Sequence, residues 1–325
     1  MAVRGFIVGD RVISRAFSTH PDWNAGFGRL NGFSFVGASA VGKLHLRENR
    51  GREDAFLIRS KGEWLLFLLS DGVGSAALGA WGASLAVNFF AEEFLRDLPA
   101  GKVGGSSSAK TQTHRRASGA KLTWPFAEEE VGMLSFYRKT DPTDEPPSLS
   151  AEEQVERLFA ALEKTHAFLV GSAQREGQEA RALSATLLGV LFDTVSKTGL
   201  AFQIGDGLLL AVNTDKSAVL LEAGDFEVGE TAVLTQSNWR EWCRWRFFEW
   251  EKEALQAVFL MSDGVADDCL YAPPQDIVHR FGRDLWREIR RSPDEETAAW
   301  RLLRWLSEYR APSSFDDRTL LGLYR

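Results

Sequence analysis

The chain has 325 residues, with 45 Asp+Glu against 38 Lys+Arg and a formal net charge of −7. That balance, with no basic stripe, excludes a nucleic-acid binder that works by neutralising phosphates. Apolar residues make up 44% and charged residues 26%, which excludes wholesale disorder and suits one large domain or two small ones.

Cys243 and Cys269 form no Cys-x-x-Cys pair and read as single thiols in a reducing cytosol. The start, Met1 to Gly5, lacks the basic-then-apolar build of a signal peptide. The longest apolar run, Trp64 to Leu69, is too short to span a bilayer. His45, His166 and His279 show no i, i+4 pairing, which argues against a His-based zinc site. These features predict a cytoplasmic protein with no nucleic-acid or membrane partner.

Residues 1–32 are Gly-rich with scattered aromatics and read as loops with at most a short strand, forming an N-terminal extension. Phe33 to Val41 alternates as a strand. Ala55 to Ile58 and Trp64 to Leu69 read as a hairpin around Ser60-Lys61-Gly62-Glu63, the second strand being apolar throughout and buried on both faces. From Ala77 to Asp97 the period turns helical, with Leu78, Trp81, Leu85 and Phe89 on one face. Residues 99–149 are Gly/Ser- then Pro/acid-rich and read as a long flexible insertion. Arg115-Arg116-Ala117-Ser118 within it resembles a kinase site but is better read as a solvated charge pair.

Ser150 and Glu153 make a capping box, opening a helix with Val155, Leu158, Phe159, Leu162, His166 and Leu169 on one face. His166 reads as a satisfied core histidine. Ala185 to Phe192, Leu200 to Ile204 and Leu208 to Val212 read as strands, with Gly205-Asp206-Gly207 as the turn between the last two. Val219 to Leu221 and Thr231 to Thr235 are further strand candidates. Residues 239–250 hold Trp239, Trp242, Trp245 and Trp250 interleaved with Arg240, Arg244 and Arg246, and read as a packed cap. Ala257 to Met261 is a buried strand; Pro273 and Pro274 open a helix through Ile289. Ser292-Pro293-Asp294-Glu295 caps another helix reaching Arg310, and Thr319 to Leu323 is a last strand. Strands clustered in hairpins predict antiparallel sheets with helices packed outside.

Four segments place an aspartate at the lip of an apolar strand. They centre on Asp54, Asp71, Asp263 and Asp316. Any one alone is ordinary turn chemistry. Together they repel unless a cation sits among them, and oxygen-only ligands select Mg2+ or Mn2+. Two such ions roughly 3.5–4 Å apart activate a shared water for attack on phosphorus.

The set resembles metal-dependent protein phosphatases of type 2C, in a divergent bacterial branch often encoded near a kinase. The matching motifs, in family order, are Glu53-Asp54, Asp71-Gly72-Val73-Gly74, Ala185-Thr186-Leu187-Leu188, Gly205-Asp206-Gly207, Ser262-Asp263-Gly264 and Asp316-Asp317. The resemblance implies an α+β fold, a four-layer α-β-β-α sandwich of two packed antiparallel sheets flanked by helix pairs. It implies a catalytic domain over 33–325 with the insertion at about 99–149. It implies two Mn2+ or Mg2+ ions: Asp54, Asp71 and the Gly72 carbonyl would hold one, and Asp71, Asp263 and Asp316 the other. Glu53 and Asp317 would support these ligands, and Asp206 would be structural. A dimetal-activated water would hydrolyse phosphoserine or phosphothreonine in a protein substrate, opposing a Ser/Thr kinase.

Two departures stand out. Asn49 falls where many members carry a phosphate-gripping Arg, so Arg47 with His45 is the expected replacement. Val73 stands where the eukaryotic type has a histidine, so no imidazole is there as general acid. A non-catalytic binding module using residues 239–250, with Trp242 and Trp245 as contacts, is the alternative. A small-metabolite phosphatase would differ only in pocket shape.

Overall fold

The computed structural model describes residues 7–8, 11–12, 23–48, 50–98, 149–221, 231–270, 274–309 and 315–325. Residues 99–148 of the expected insertion, with its Arg115 to Ser118 motif, lie outside them, as does Asn49. In chain order, two-residue strands β1 (Ile7–Val8) and β2 (Arg11–Val12) precede β3 (Trp23–Leu30), β4 (Phe33–Ala40), α1 (Lys43–Arg47), β5 (Ala55–Lys61) and β6 (Trp64–Ser70). Next come α2 (Gly79–Leu95), α3 (Ala151–Arg175), β7 (Leu187–Asp193), β8 (Thr198–Ile204), β9 (Leu208–Asn213) and β10 (Ser217–Leu221). The rest is α4 (Trp239–Trp242), β11 (Arg244–Glu249), β12 (Leu255–Met261), α5 (Asp263–Leu270), α6 (Pro274–Arg290), α7 (Glu295–Glu308) and β13 (Arg318–Tyr324).

The main strands form two antiparallel sheets, one ordered β10-β9-β12-β13-β4-β3 and the other β11-β8-β7-β6-β5. The period of two sorts their side chains. Phe33 and Phe35 of β4 meet Leu65, Phe67 and Leu69 of β6 in the core between the sheets. Val36, Ala38 and Ala40 turn outward under α6 and α7, while Trp64, Leu66 and Leu68 turn outward under α2 and α3. That is the expected four-layer α-β-β-α sandwich. Strand β6, with a helix layer on one side and a sheet on the other, is buried at all seven positions. Each fully buried Phe in this core contributes roughly 1.5–3 kcal/mol.

Several sequence expectations need correction. The six-stranded sheet begins ahead of residue 33: β3 pairs along its whole length with β4 through the two-residue turn Asn31-Gly32, a standard hairpin signal. Gly205-Asp206-Gly207 is no hairpin turn, because β8 and β9 lie in different sheets. The link carries the chain across the sandwich, and Gly205 makes the bend at φ +124°, where a Cβ would also strike Thr186. Thr231 to Thr235 forms no strand. In α2 the buried face is Ala83, Ala86, Val87, Phe90 and Phe94, while Leu78, Trp81, Leu85 and Phe89 flank it half-buried. Small residues let the helix axis approach the sheet, and Phe89 instead stacks on Phe168 of α3 at 4.1 Å.

The capping box at α3 is formed: Ser150 accepts from the Glu153 amide and the Glu153 carboxylate accepts from the Ser150 amide. The cap of α7 is Asp294, which accepts from the Thr297 amide at 2.7 Å, rather than Ser292. Helices α1 and α5 lie outside the sequence expectations. The Trp-rich stretch divides into α4 and the edge strand β11. Trp239 and Trp250 are core residues, and Trp245 is 42% exposed. His166 is satisfied through Nδ1 and the Leu234 carbonyl at 2.8 Å.

Candidate metal centre

Strand register explains how distant aspartates share one end of the sandwich. Ala55 pairs with Ser70, so Asp54 and Asp71 are neighbours just beyond the first ladder. Leu208 pairs with Met261, and Met261 with Leu320, which brings the approaches to Asp206, Asp263 and Asp316 to the same end of the second sheet. Asp71 is pinned on both sides by Thr186: its amide donates to Thr186 Oγ1 and its carbonyl accepts from the Thr186 amide, each at 2.9 Å. Gly72 bridges Ala185. Asp263 is the first residue of α5, and its Oδ1 accepts the Gly264 amide at 2.6 Å. A Cβ on Gly264 would come within 2.0 Å of the Asp317 carbonyl oxygen, so only glycine allows this close approach.

The carboxylates interact strongly. Asp54 is buried, and its Oδ2 accepts from Thr319 Oγ1 at 2.5 Å. Burial and the Asp317 charge push its carboxyl up to about 7. Burial, then the charges of Asp263 and Asp54, raise half-buried Asp71 well above its ordinary value. Burial, then Asp206 and Asp316, push Asp263 up to about 8. Asp206, expected to be only structural, therefore faces the same cluster, and burial raises it too. Asp316 is exposed at the rim.

This donor set fits a hard cation. It is all oxygen, it is anionic beyond what its neighbours neutralise, and Asp54 Oδ1 is buried without a hydrogen-bond partner. Asp54, Asp71 and Asp263 are raised in part by neighbouring carboxylate charges, yet the four predicted ligands are not drawn around a single point. Among the described residues, the ligand-type atoms lying within 4.8 Å of one another belong to His45, Asp316 and Asp317. That trio makes a poor ligand set, because Asp317 is already saturated. Its Oδ1 accepts from the Gly42 amide and lies 3.0 Å from His45 Nδ1, while its Oδ2 accepts from the amides of Glu53 and Asp54.

The two residues expected to grip phosphate sit differently. His45 is buried and held by Asp317. Arg47 is exposed, with its guanidinium 5.7 Å over the Phe315 ring beside Asp316. Glu53 is salt-bridged to Arg50, and its Oε2 is buried without a hydrogen-bond partner, 3.9 Å from His45 Nε2. Arg52, not singled out by the sequence, is buried with Nε and one Nη unpartnered, within electrostatic reach of Asp317 and Asp54. No sequence signal separates it from Arg47 and Arg50; only burial does.

Comparison with known proteins supports the same architecture. The chain superposes on a bacterial serine phosphatase with a TM-score of 0.54 at 14% identity, covering 90% of this chain and 96% of that one. It superposes on the serine/threonine phosphatase Stp1 from Staphylococcus aureus with a TM-score of 0.55 at 12% identity, covering 92% and 96%. PppA, described as a key regulatory component of T6SS in Pseudomonas aeruginosa, gives a TM-score of 0.52 at 17% identity, covering 90% and 97%. These likenesses show the fold. A search of curated proteins finds no match. No helix among the described residues is long and apolar enough to cross a membrane. The sequence model described as "Protein phosphatase 2C" matches residues 41–307, most of the chain and every aspartate of the cluster except Asp316, and on this ground the chain belongs to the protein phosphatase 2C family.

Proposed function

We propose that this chain is a Mn2+- or Mg2+-dependent phosphatase that hydrolyses phosphoserine and phosphothreonine in protein substrates and opposes a Ser/Thr kinase. The carrying observation is the convergence of Asp54, Asp71, Asp206, Asp263 and Asp316 at one end of both sheets, with Asp54, Asp71 and Asp263 all raised by one another's presence or by burial. On this reading, Asp54, Asp71, the Gly72 carbonyl, Asp263 and Asp316 hold two ions. When bound, the ions offset the carboxylate charge and lower the pKa of water for attack on phosphorus.

The chain's own groups prepare that centre. Thr186 fixes Asp71, Thr319 fixes Asp54, and Asp317 holds the Glu53-Asp54 backbone by two amides. Glu53 Oε2, buried without a hydrogen-bond partner and 3.9 Å from His45 Nε2, is the group that would accept from an ordered water. His45 takes a positioning role in place of the expected phosphate contact, and Arg47 at the rim is left to meet the anionic substrate. The catalytic unit on this reading starts with β3, ahead of residue 33. Buried Cys243, a single thiol pushed up to about 12 by burial and so inert, suits a reducing cytoplasm.

A phosphopeptide assay with and without Mn2+ tests the reading. Phosphate release should require the cation and vanish with a chelator. Turnover indifferent to metal would refute it. The binding-module alternative draws on Trp245, which is exposed, but Trp239 and Trp250 are spent on the core.

A further inference from the structure

We infer that Tyr309 and Asp268 are positioning residues for the metal centre, acting with Arg318 to hold Asp263 against Asp316. This rests on the metal-centre reading above. The two aspartates repel each other: Asp263 starts α5 directly after β12, and Asp316 precedes β13, the strand paired with β12. The ladder and the Ser262–Thr319 hydrogen bonds hold the strand ends, and a further contact sets the body of α5 against β13.

The contact lies on the far side of α5. Asp268, one and a half turns beyond Asp263, accepts from the Tyr309 hydroxyl through Oδ2 at 2.6 Å. The same hydroxyl stands 3.3 Å from the Gly264 carbonyl oxygen, next to Asp263 itself. Arg318, two residues after Asp316, places Nη2 3.7 Å from Asp268 Oδ2, with both side chains at most 5% exposed. Its guanidinium lies 3.9 Å from the Tyr309 ring centroid and donates to the carbonyls of Leu306 and Tyr309. Thus the end of α7, the body of α5 and the start of β13 meet at one buried, charge-assisted junction.

The tripeptide Asp316-Asp317-Arg318 then divides its work. Asp316 faces the cluster, Asp317 holds the Asp54 segment, and Arg318 holds the helix that bears Asp263. Tyr309 and Asp268 touch neither substrate nor the proposed ligand atoms; they set where Asp263 stands.

The test titrates Mn2+ into the full chain by calorimetry, comparing wild type with Tyr309→Phe, Asp268→Asn and the double variant. Each single change should weaken Mn2+ binding by about tenfold, as loss of a residue that orients a ligand does. The double change should cost no more than either alone, because one contact carries both. Unaltered Mn2+ affinity in Tyr309→Phe overturns the inference, whatever happens to its melting temperature. Additive losses overturn it too, since they mark two independent packing defects. Wild-type chain that binds no Mn2+ instead removes the metal-centre reading beneath it, a result seen before any variant is made.

Discussion

The His45 imidazole lies 3.0 Å from the Asp317 carboxylate, and both groups are buried. The bond to Asp317 raises the imidazole despite burial. Burial disfavours the Asp317 charge, but His45 and the amides of Gly42 and Glu53 outweigh it and hold the carboxyl below its ordinary range. Asp317→Ala would leave a buried His45 and three backbone amides without their acceptor. The expected cost is about 3–5 kcal/mol of unfolding free energy by urea titration, on the scale of breaking a buried charged pair. In the milder Asp317→Asn, the His45 ring should titrate lower by NMR than in wild type. An unmoved His45 titration would show that the pair does not share a charge.

Asp71 stands at the centre of the repulsion, raised by Asp263, Asp54 and Asp316 after burial. Asp71→Asn removes one of these charges while leaving the Thr186 bonds to its backbone intact. The metal-free variant should therefore melt higher than metal-free wild type. Added Mn2+ should no longer raise the melting temperature, and phosphate release should fall by at least about 100-fold, the scale of losing an electrostatic stabiliser of transition-state charge. A variant that melts lower without metal would mean that Asp71 is held by contacts rather than opposed by its neighbours.

Local signals were legible in the sequence. The capping box of Ser150 and Glu153 needs only a spacing of three, and it forms as read. The alternation in β4 and the apolar run of β6 report their burial directly. The aspartates at strand ends are legible as a set, because an Asp at the start or end of successive apolar runs has few other reasons to recur. What failed was whatever depends on partners. A three-residue link between β8 and β9 looks the same whether it joins neighbours in one sheet or crosses between two. The face of α2 set by its largest residues is not the buried one, because Ala83 and Ala86 let the helix pack closest. The partner that holds His45, Asp317, lies 272 positions along the chain, and Tyr309 carries no motif at all.

The Trp-rich stretch gives a contrast between buried and exposed rings. Trp250 meets Phe33 at 5.1 Å and Phe192 at 5.4 Å in the core between the sheets. Trp250→Ala should cost roughly 3–5 kcal/mol of stability. Trp245, on the edge strand and 42% exposed, touches Phe247 edge-on at 5.9 Å. Trp245→Ser should cost less than about 1 kcal/mol, in line with one exposed aromatic pair. Equal losses at both sites in urea titrations would contradict this division of the segment.

The raised carboxylates also set a pH slope for the metal-free chain. An acid whose folded pKa lies above its unfolded one binds more protons in the folded state between those two values, so stability falls as pH rises through that window. Asp54, at about 7, and Asp263, at about 8, both start from an ordinary value of 3.8. His45, raised above 6.5, adds to the slope, because its contribution is complete below its unfolded pKa and fades as pH climbs through the folded one. Asp317, held low, acts only at the acid end, where its contribution is lost as pH falls. Metal-free chain in a chelator should thus have a higher urea midpoint at pH 5 than at pH 8. Saturating Mn2+ should reverse the order, since the cation binds the deprotonated carboxylates and its hold strengthens as they ionise. A midpoint that climbs from pH 5 to pH 8 in chelator would mean that these aspartates are ionised and stably paired without any metal.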